Sequence, residues 1–206
     1  MRLVFRPAVP SDVIHAVPLI QSSGPEAFSY VFDHPTRGAA EDFLRVAFLD
    51  GEGEFGYRNH LIGVLDGYVI AAGAAWGGTE GVGFMRAAVR QILAQYGVVA
   101  GAGVGIRGLR VEAIIKPPSR KEWYLAHLGV REDVRGYGIG QALIERLLDE
   151  GRHNGFDRAA LDVSIINPRA QILYERLGFT VTGEQRSRLA NRTVQVPSHR
   201  RMELAL

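Results

Sequence analysis

The chain has 206 residues, enough for one domain with a sizeable core, and its 47% hydrophobic and 22% charged residues are the composition of a globular protein. A formal charge of +2, from 24 basic and 22 acidic residues, leaves no electrostatic footprint for nucleic acid, and zero cysteines exclude a disulfide framework, a thiolate metal site and a thiol nucleophile. No continuous apolar run reaches the length of a membrane span and the N-terminus lacks an apolar signal core, so no membrane partner and a cytoplasmic, reducing location are expected.

Residues 2–8 alternate as an opening strand. Pro10-Ser11-Asp12 offers a helix start for Val13, Ile14, Val17 and Leu19, with Pro18 shortening or kinking that helix. After Ser22-Ser23-Gly24-Pro25 comes a short aromatic segment, Glu26 to Phe32, and then a helix over about 38–49. Asp66-Gly67 between the apolar runs 61–65 and 68–75 is the strongest short hairpin signal in the chain. Residues 77–121 read as an irregular insertion: an amphipathic helix over 84–96, then a mobile stretch rich in Val, Ala and Gly over 98–108. Its two readings are a helical addition packed on the sheet and a cover for a ligand. Residues 122–130 form a strand in which alternation puts Glu122, Tyr124, Ala126, Leu128 and Val130 on one face and Trp123, Leu125, His127 and Gly129 on the other. A helix over 138–153, a strand over 158–165, a helix opened by Asn167-Pro168 and ended by Gly178, a strand opened by Phe179 and a closing strand at 202–206 complete the order.

The chemistry is concentrated where strand 122–130 turns through Arg135-Gly136-Tyr137-Gly138-Ile139-Gly140 into a helix. Glycines there permit positive φ and close approach of a ligand, and the helix start offers unsatisfied N–H groups and the positive end of its dipole. Such a turn is an anion site suited to phosphate. No Lys follows Gly140, which excludes a Walker loop, and the G-x-G-x-G spacing deep in the chain differs from the dinucleotide fingerprint. A glycine-rich turn without a ligand is the bland alternative.

The pattern Arg135-x-x-Gly138-x-Gly140 resembles the acyl-CoA pyrophosphate loop of the GNAT superfamily of N-acetyltransferases. Leu128-Gly129-Val130 before it, and Asn167-Pro168-Arg169-Ala170 with Tyr174-Glu175-Arg176-Leu177-Gly178-Phe179 after it, are similar to two further blocks of that family in the same order. The detailed likeness runs over about 123–179, with a looser one over 2–75. The resemblance implies a single α/β domain (an α+β mixed sheet) over 1–206, its central, mostly antiparallel twisted sheet having splayed central strands and flanking helices. It implies transfer of an acetyl group from acetyl-CoA to a primary amine by direct attack in a ternary complex.

By the same resemblance the pyrophosphate falls to Arg135, Gly136, Tyr137, Gly138, Ile139, Gly140 and Gln141. The pantetheine arm would lie along Leu128, Gly129 and Val130, with Asn167 bonding its amide. A backbone N–H near Leu128 would polarise the thioester oxygen. Tyr174 matches the tyrosine that protonates the departing thiolate, its bland reading being a core aromatic. Glu122 is the candidate base, its bland reading a solvated carboxylate at a strand end. His127 is attractive as a base because histidine as a residue type suits proton transfer, yet alternation turns it away from Glu122 and Tyr124, which favours a structural role. Glu26, Phe28, Tyr30 and Tyr124 are the candidate acceptor-binding residues. They suit a small-molecule amine; a peptide or protein amine and a non-catalytic acyl-CoA-binding domain are the rival readings. No His, Asp and Glu grouping has metal-ligand spacing, and the reaction needs no metal. Dimers are common in that family, so a homodimer is one expected assembly.

Overall fold

The computed structural model describes residues 3–206, so Met1 and Arg2 of the expected opening strand lie outside the described residues. The strands are β1 (Leu3–Pro7), β2 (His60–Leu65), β3 (Tyr68–Gly77), β4 (Glu122–Val130), β5 (Arg158–Ser164), β6 (Thr180–Gln185) and β7 (His199–Ala205). The helices are α1 (Val13–Ser22), α2 (Pro25–Phe32), α3 (Ala40–Asp50), α4 (Gly81–Glu112), α5 (Ile139–His153) and α6 (Pro168–Arg176). All seven strands join one sheet in the order β1-β2-β3-β4-β5-β7-β6. Every neighbouring pair is antiparallel except β4–β5, which is parallel. The β2–β3 hairpin turns where expected, with positive φ at both Asp66 (48°) and Gly67 (89°), the requirement of a type I′ turn.

One face of the sheet packs on α5 and α6 through Leu125, Leu143, Ile144, Leu147, Leu161, Tyr174 and Phe179. The other carries α1, α2, α3 and α4, with separate apolar clusters around Ile62 and Phe48, around Phe43 and Tyr96, and around Trp76 and Tyr124. The aromatic segment is a full helix, α2, because Pro25 sits at its first helical position, where a missing N–H costs nothing.

The insertion departs from expectation. Its second part is helical, so α4 runs from Gly81 to Glu112 with a break at Gly97 (φ 73°, ψ 178°). Tertiary ties hold this glycine-rich stretch in place. The Tyr96 hydroxyl donates to the Phe32 carbonyl (2.7 Å), and the Arg107 guanidinium donates twice to the Val31 carbonyl (2.9 and 2.6 Å) near the C-terminus of α2. Among the described residues α4 is the one helix that by length and composition could cross a membrane, contrary to the expectation from continuous apolar runs. Its outward side exposes Val82, Met85, Val89, Val98, Val99, Ile106 and Leu109.

Candidate active site

The sheet opens at its one parallel junction. β4 and β5 pair only at Glu122–Arg158, Trp123–Ala159 and Tyr124–Ala160. Beyond that, β5 stays paired with β7 through Ser164, and β4 stays paired with β3 through Val130. The side of β4 that faces β5 therefore leaves backbone groups without partners from Leu125 onward, which in a sheet is a place for an extended ligand to add itself as a strand.

The glycine loop closes the wide end of this gap. Gly136 (φ 88°) and Gly138 (φ 79°) are left-handed, and a Cβ at either would meet nothing, so backbone conformation is what requires glycine there. Gly138 caps α5 with no side-chain bond, and the first turn carries no acidic residue. Among the described residues, the N–H groups of 136–141 have no acceptor; the first α5 bond from outside the helix runs from Ala142 N to Gly138 O (3.0 Å). Arg135 pins the loop to β4 through Nε to the Val130 carbonyl (2.9 Å). The Ile139 side chain is core, that of Tyr137 is exposed, and that of Gln141 bonds Glu145 (2.9 Å), so these residues offer backbone rather than side chains to an anion. At Gly129 an added Cβ would lie 2.2 Å from the Leu19 carbonyl, so that glycine also admits α1 against the strand.

Tyr174 lies on α6, the helix that follows β5, and Asn167 caps that helix. Asn167 Oδ1 caps the helix by accepting from Ala170 N (3.2 Å), which leaves its amide hydrogens for a ligand carbonyl. The Tyr174 ring is buried against Phe179, with centroids 6.1 Å apart. Desolvation pushes the Tyr174 phenol up to about 12, so it carries its proton across the neutral range.

Glu122 sits in a network that its sequence neighbours do not show. It pairs with Arg201 (2.8 Å), which also binds Asp162 (2.7 Å) and the Lys116 carbonyl (3.0 Å), and it accepts from Ser119 N (2.8 Å). Burial alone would raise the Glu122 carboxyl, but the Ser119 N–H and the Arg201 guanidinium bring it below its ordinary value. A carboxylate so held is a weak proton acceptor. The Tyr124 hydroxyl donates to Asp162 (2.9 Å), and its ring lies beneath Arg201 (4.9 Å to the centroid). Asp162 is pushed up by burial despite its arginine.

The face assignment in β4 holds only as far as Ala126. Ala74 pairs with Ala126 but Ala72 with Gly129, so the register shifts in between, and His127 takes a left-handed backbone (φ 56°). The extra residue reverses the alternation. Leu128 and Val130 join Trp123 and Leu125 on the α5 side. His127 instead faces Trp76, whose ring centroid is 5.7 Å away and which also contacts Tyr124. His127 thus lies on the side from which it was expected to turn away.

Of the acceptor candidates, Phe28 reaches this neighbourhood, with its centroid 6.0 Å from His127. Tyr30 is buried among Phe43, Tyr96 and Val104. Glu26 lines a shallow depression with Ser29, Asp33 and Thr193. The residues that the sequence reading missed are His60, Glu54, Asp162 and Arg201, all remote in sequence from the motifs they meet; no local pattern marks them.

The acetyltransferase (GNAT) family model matches residues 26–179. Probable N-acetyltransferase family 8 member 5 of Mus musculus is 38% identical over 68 residues, covering 33% of this chain and 30% of that protein, so the chain spans about a third of that curated relative. An N-acetyltransferase structure from Staphylococcus aureus Mu50 superposes with a TM-score of 0.70 at 17% identity, covering 98% of this chain and 100% of that one. A putative acetyltransferase from Salmonella typhimurium, solved with its cofactor acetyl-CoA, gives 0.56 at 15% identity, covering 100% and 95%. At these identities the structural likeness speaks for the fold.

Proposed function

The chain belongs to the GNAT acetyltransferase family, and from that membership we propose that it transfers an acetyl group from acetyl-CoA to the primary amine of a small molecule by direct attack in a ternary complex. The observation that carries the reading is the coincidence of two unsatisfied backbone arrays: the free N–H groups of 136–141 and the open edge of β4. The first suits a pyrophosphate and the second a pantetheine arm. Asn167 amide hydrogens and a backbone N–H near Leu128 would fix the amide and polarise the thioester oxygen.

Tyr174 serves as a hydrogen-bond donor to sulfur. A phenol pushed up to about 12 is a weaker acid than a thiol of about 8.5, so it stabilises the developing thiolate best by relaying a proton, not by ending as phenolate. Aromatic walls from Phe28, Phe55 and Trp76 favour a small amine over a protein tail.

Titration calorimetry with acetyl-CoA tests the reading. Gly138→Val should abolish binding in a folded protein, because a β-branched residue resists positive φ and its side chain would stand at the loop. Undiminished binding by that variant would move the cofactor elsewhere.

A further inference from the structure

Only two non-glycine residues among those described have positive φ: Asp66 and His127. Asp66 is explained by its hairpin turn. His127 stands inside a strand, where such a conformation costs free energy and persists only because its surroundings hold it.

Those surroundings specify a tautomer. His60 Nδ1 faces the Gly56 carbonyl at 2.9 Å, and a carbonyl can only accept, so Nδ1 carries the hydrogen. Complete burial, with His127 beside it, holds His60 down to about 3, so the ring is neutral and Nε2 is a bare acceptor. That acceptor lies 3.1 Å from His127 Nδ1, which must therefore donate. In a neutral His127 ring, Nε2 is then left with its lone pair. It faces Glu54 Oε1 at 3.4 Å, and the Glu54 side chain is 44% exposed. Two acceptors set against each other, the inner one on a buried ring and the outer one on a side chain reached by solvent, invite a donor with several hydrogens, and a protonated amine is one.

The placement suits the chemistry. His127 immediately precedes Leu128 on the strand whose free edge borders the cofactor gap. Around Nε2 stand Phe55, stacked at 5.1 Å, with Trp76 and Phe28 beyond. The titratable groups around it are His60 from β2, Glu54 from the segment before β2, and Tyr124 from β4 itself; Glu112, at the end of α4, is raised by burial and by the Glu54 charge. α2 contributes Phe28, which has no charge.

We propose that His127 Nε2 is the general base of the transfer, that His60 fixes its tautomer, and that Glu54 receives the acceptor as an ammonium ion, the acceptor class being alkyl- or arylalkylamines. The proposal rests on the acetyl-transfer reading above. The ammonium gives one proton to Nε2, and the resulting imidazolium pairs with Glu54. The freed nitrogen lone pair forms a C–N bond to the thioester carbon while the carbonyl π pair moves to oxygen. That pair returns, the C–S bond breaks, and the thiolate takes the second nitrogen proton by way of Tyr174. The products are the amide and free CoA, and the proton on His127 leaves to solvent past Glu54.

Two measurements test this. Imidazole ¹⁵N spectra at neutral pH should show hydrogen on Nδ1 of both His60 and His127; a neutral His127 protonated on Nε2 overturns the proposal whatever the activity. Single-turnover rates over a panel of alkyl- and arylalkylamines should fall about 10²–10⁴-fold in His127→Gln, with the acid limb of the pH profile flattened and acetyl-CoA affinity kept. His127→Asn, whose short polar side chain tolerates the left-handed backbone, repeats the test if the glutamine variant does not fold. Glu54→Gln should raise amine KM more than it lowers kcat. A limb that survives in both His127 variants and vanishes in Glu122→Gln overturns the proposal in favour of Glu122. A wild type that binds acetyl-CoA and turns over no amine defeats the acetyl-transfer reading, and the base role with it.

Discussion

Tyr174 and Arg201 show how burial gives single residues different duties. The phenol is pushed up by desolvation alone, so it remains a donor throughout the neutral range. Tyr174→Phe should slow single turnover by about 10²–10⁴-fold while acetyl-CoA affinity by calorimetry stays near wild type, because only the donating hydroxyl is lost. Arg201 holds two carboxylates whose side chains are 12% and 3% exposed. Arg201→Met leaves both charges without a cation, and breaking a buried ion pair costs about 3–5 kcal/mol. The sign follows from the two acids. Glu122 is lowered in the folded state, so its contribution is present above its unfolded value and lost as pH falls through the folded one. Asp162 is raised even with Arg201 present, because burial outweighs the guanidinium, so its own contribution runs the other way. Without the guanidinium both acids lose an influence that lowers them. The deficit in urea denaturation should be largest at neutral pH and should shrink through the carboxylate range. A deficit independent of pH would mean that Arg201 acts by packing.

Helix α4 and strand β4 each carry one residue that departs from the regular pattern. Gly97 breaks α4 at φ 73° and ψ 178°, a region open in practice to glycine alone, although a Cβ there would meet nothing. Gly105 is an ordinary helical glycine, also with open space around it. Gly97→Ala should therefore destabilise by about 1–3 kcal/mol and Gly105→Ala should stabilise by about 0.5–1 kcal/mol, as read by urea midpoints. Changes of the same sign would show that α4 is not broken at Gly97 in solution. In β4 the bulge at His127 moves three side chains across the sheet while strand pairing with β3 continues on both sides of it.

Across the whole molecule, the cleft exists because β5 parts from β4 after three paired residues while it stays paired with β7 along its whole length. Amide exchange should register this. Amides of 136–141, which have no acceptor, should exchange fast in the free protein and slow markedly with saturating acetyl-CoA. Those of Trp123 and Tyr124, paired with both neighbouring strands, should be protected in both states. Loop amides that remain fast with the cofactor bound would place the pyrophosphate elsewhere.

By itself the sequence determined the features that depend on neighbours along the chain. Gly136 and Gly138 imply positive φ before a helix, Asn167-Pro168 implies a cap, and Asp66-Gly67 implies a hairpin; each is local chemistry, and each stands where it was read. The order of strands and helices followed from the same periodicities, apart from α2 and the second part of α4. Tertiary structure alone decided the side-chain partners. Strict alternation fails at a bulge, and nothing local to His127 announces one, because the shift arises where β4 pairs with β3 between Ala72 and Ala74, and the His127 ring is held by one on β2, 67 residues away. Glu122 looks like a free carboxylate until β7 brings Arg201 to it, 79 residues later in the chain. Backbone conformation is set largely by local sterics, whereas the ionisation and direction of a buried side chain are set by whatever the fold packs against it.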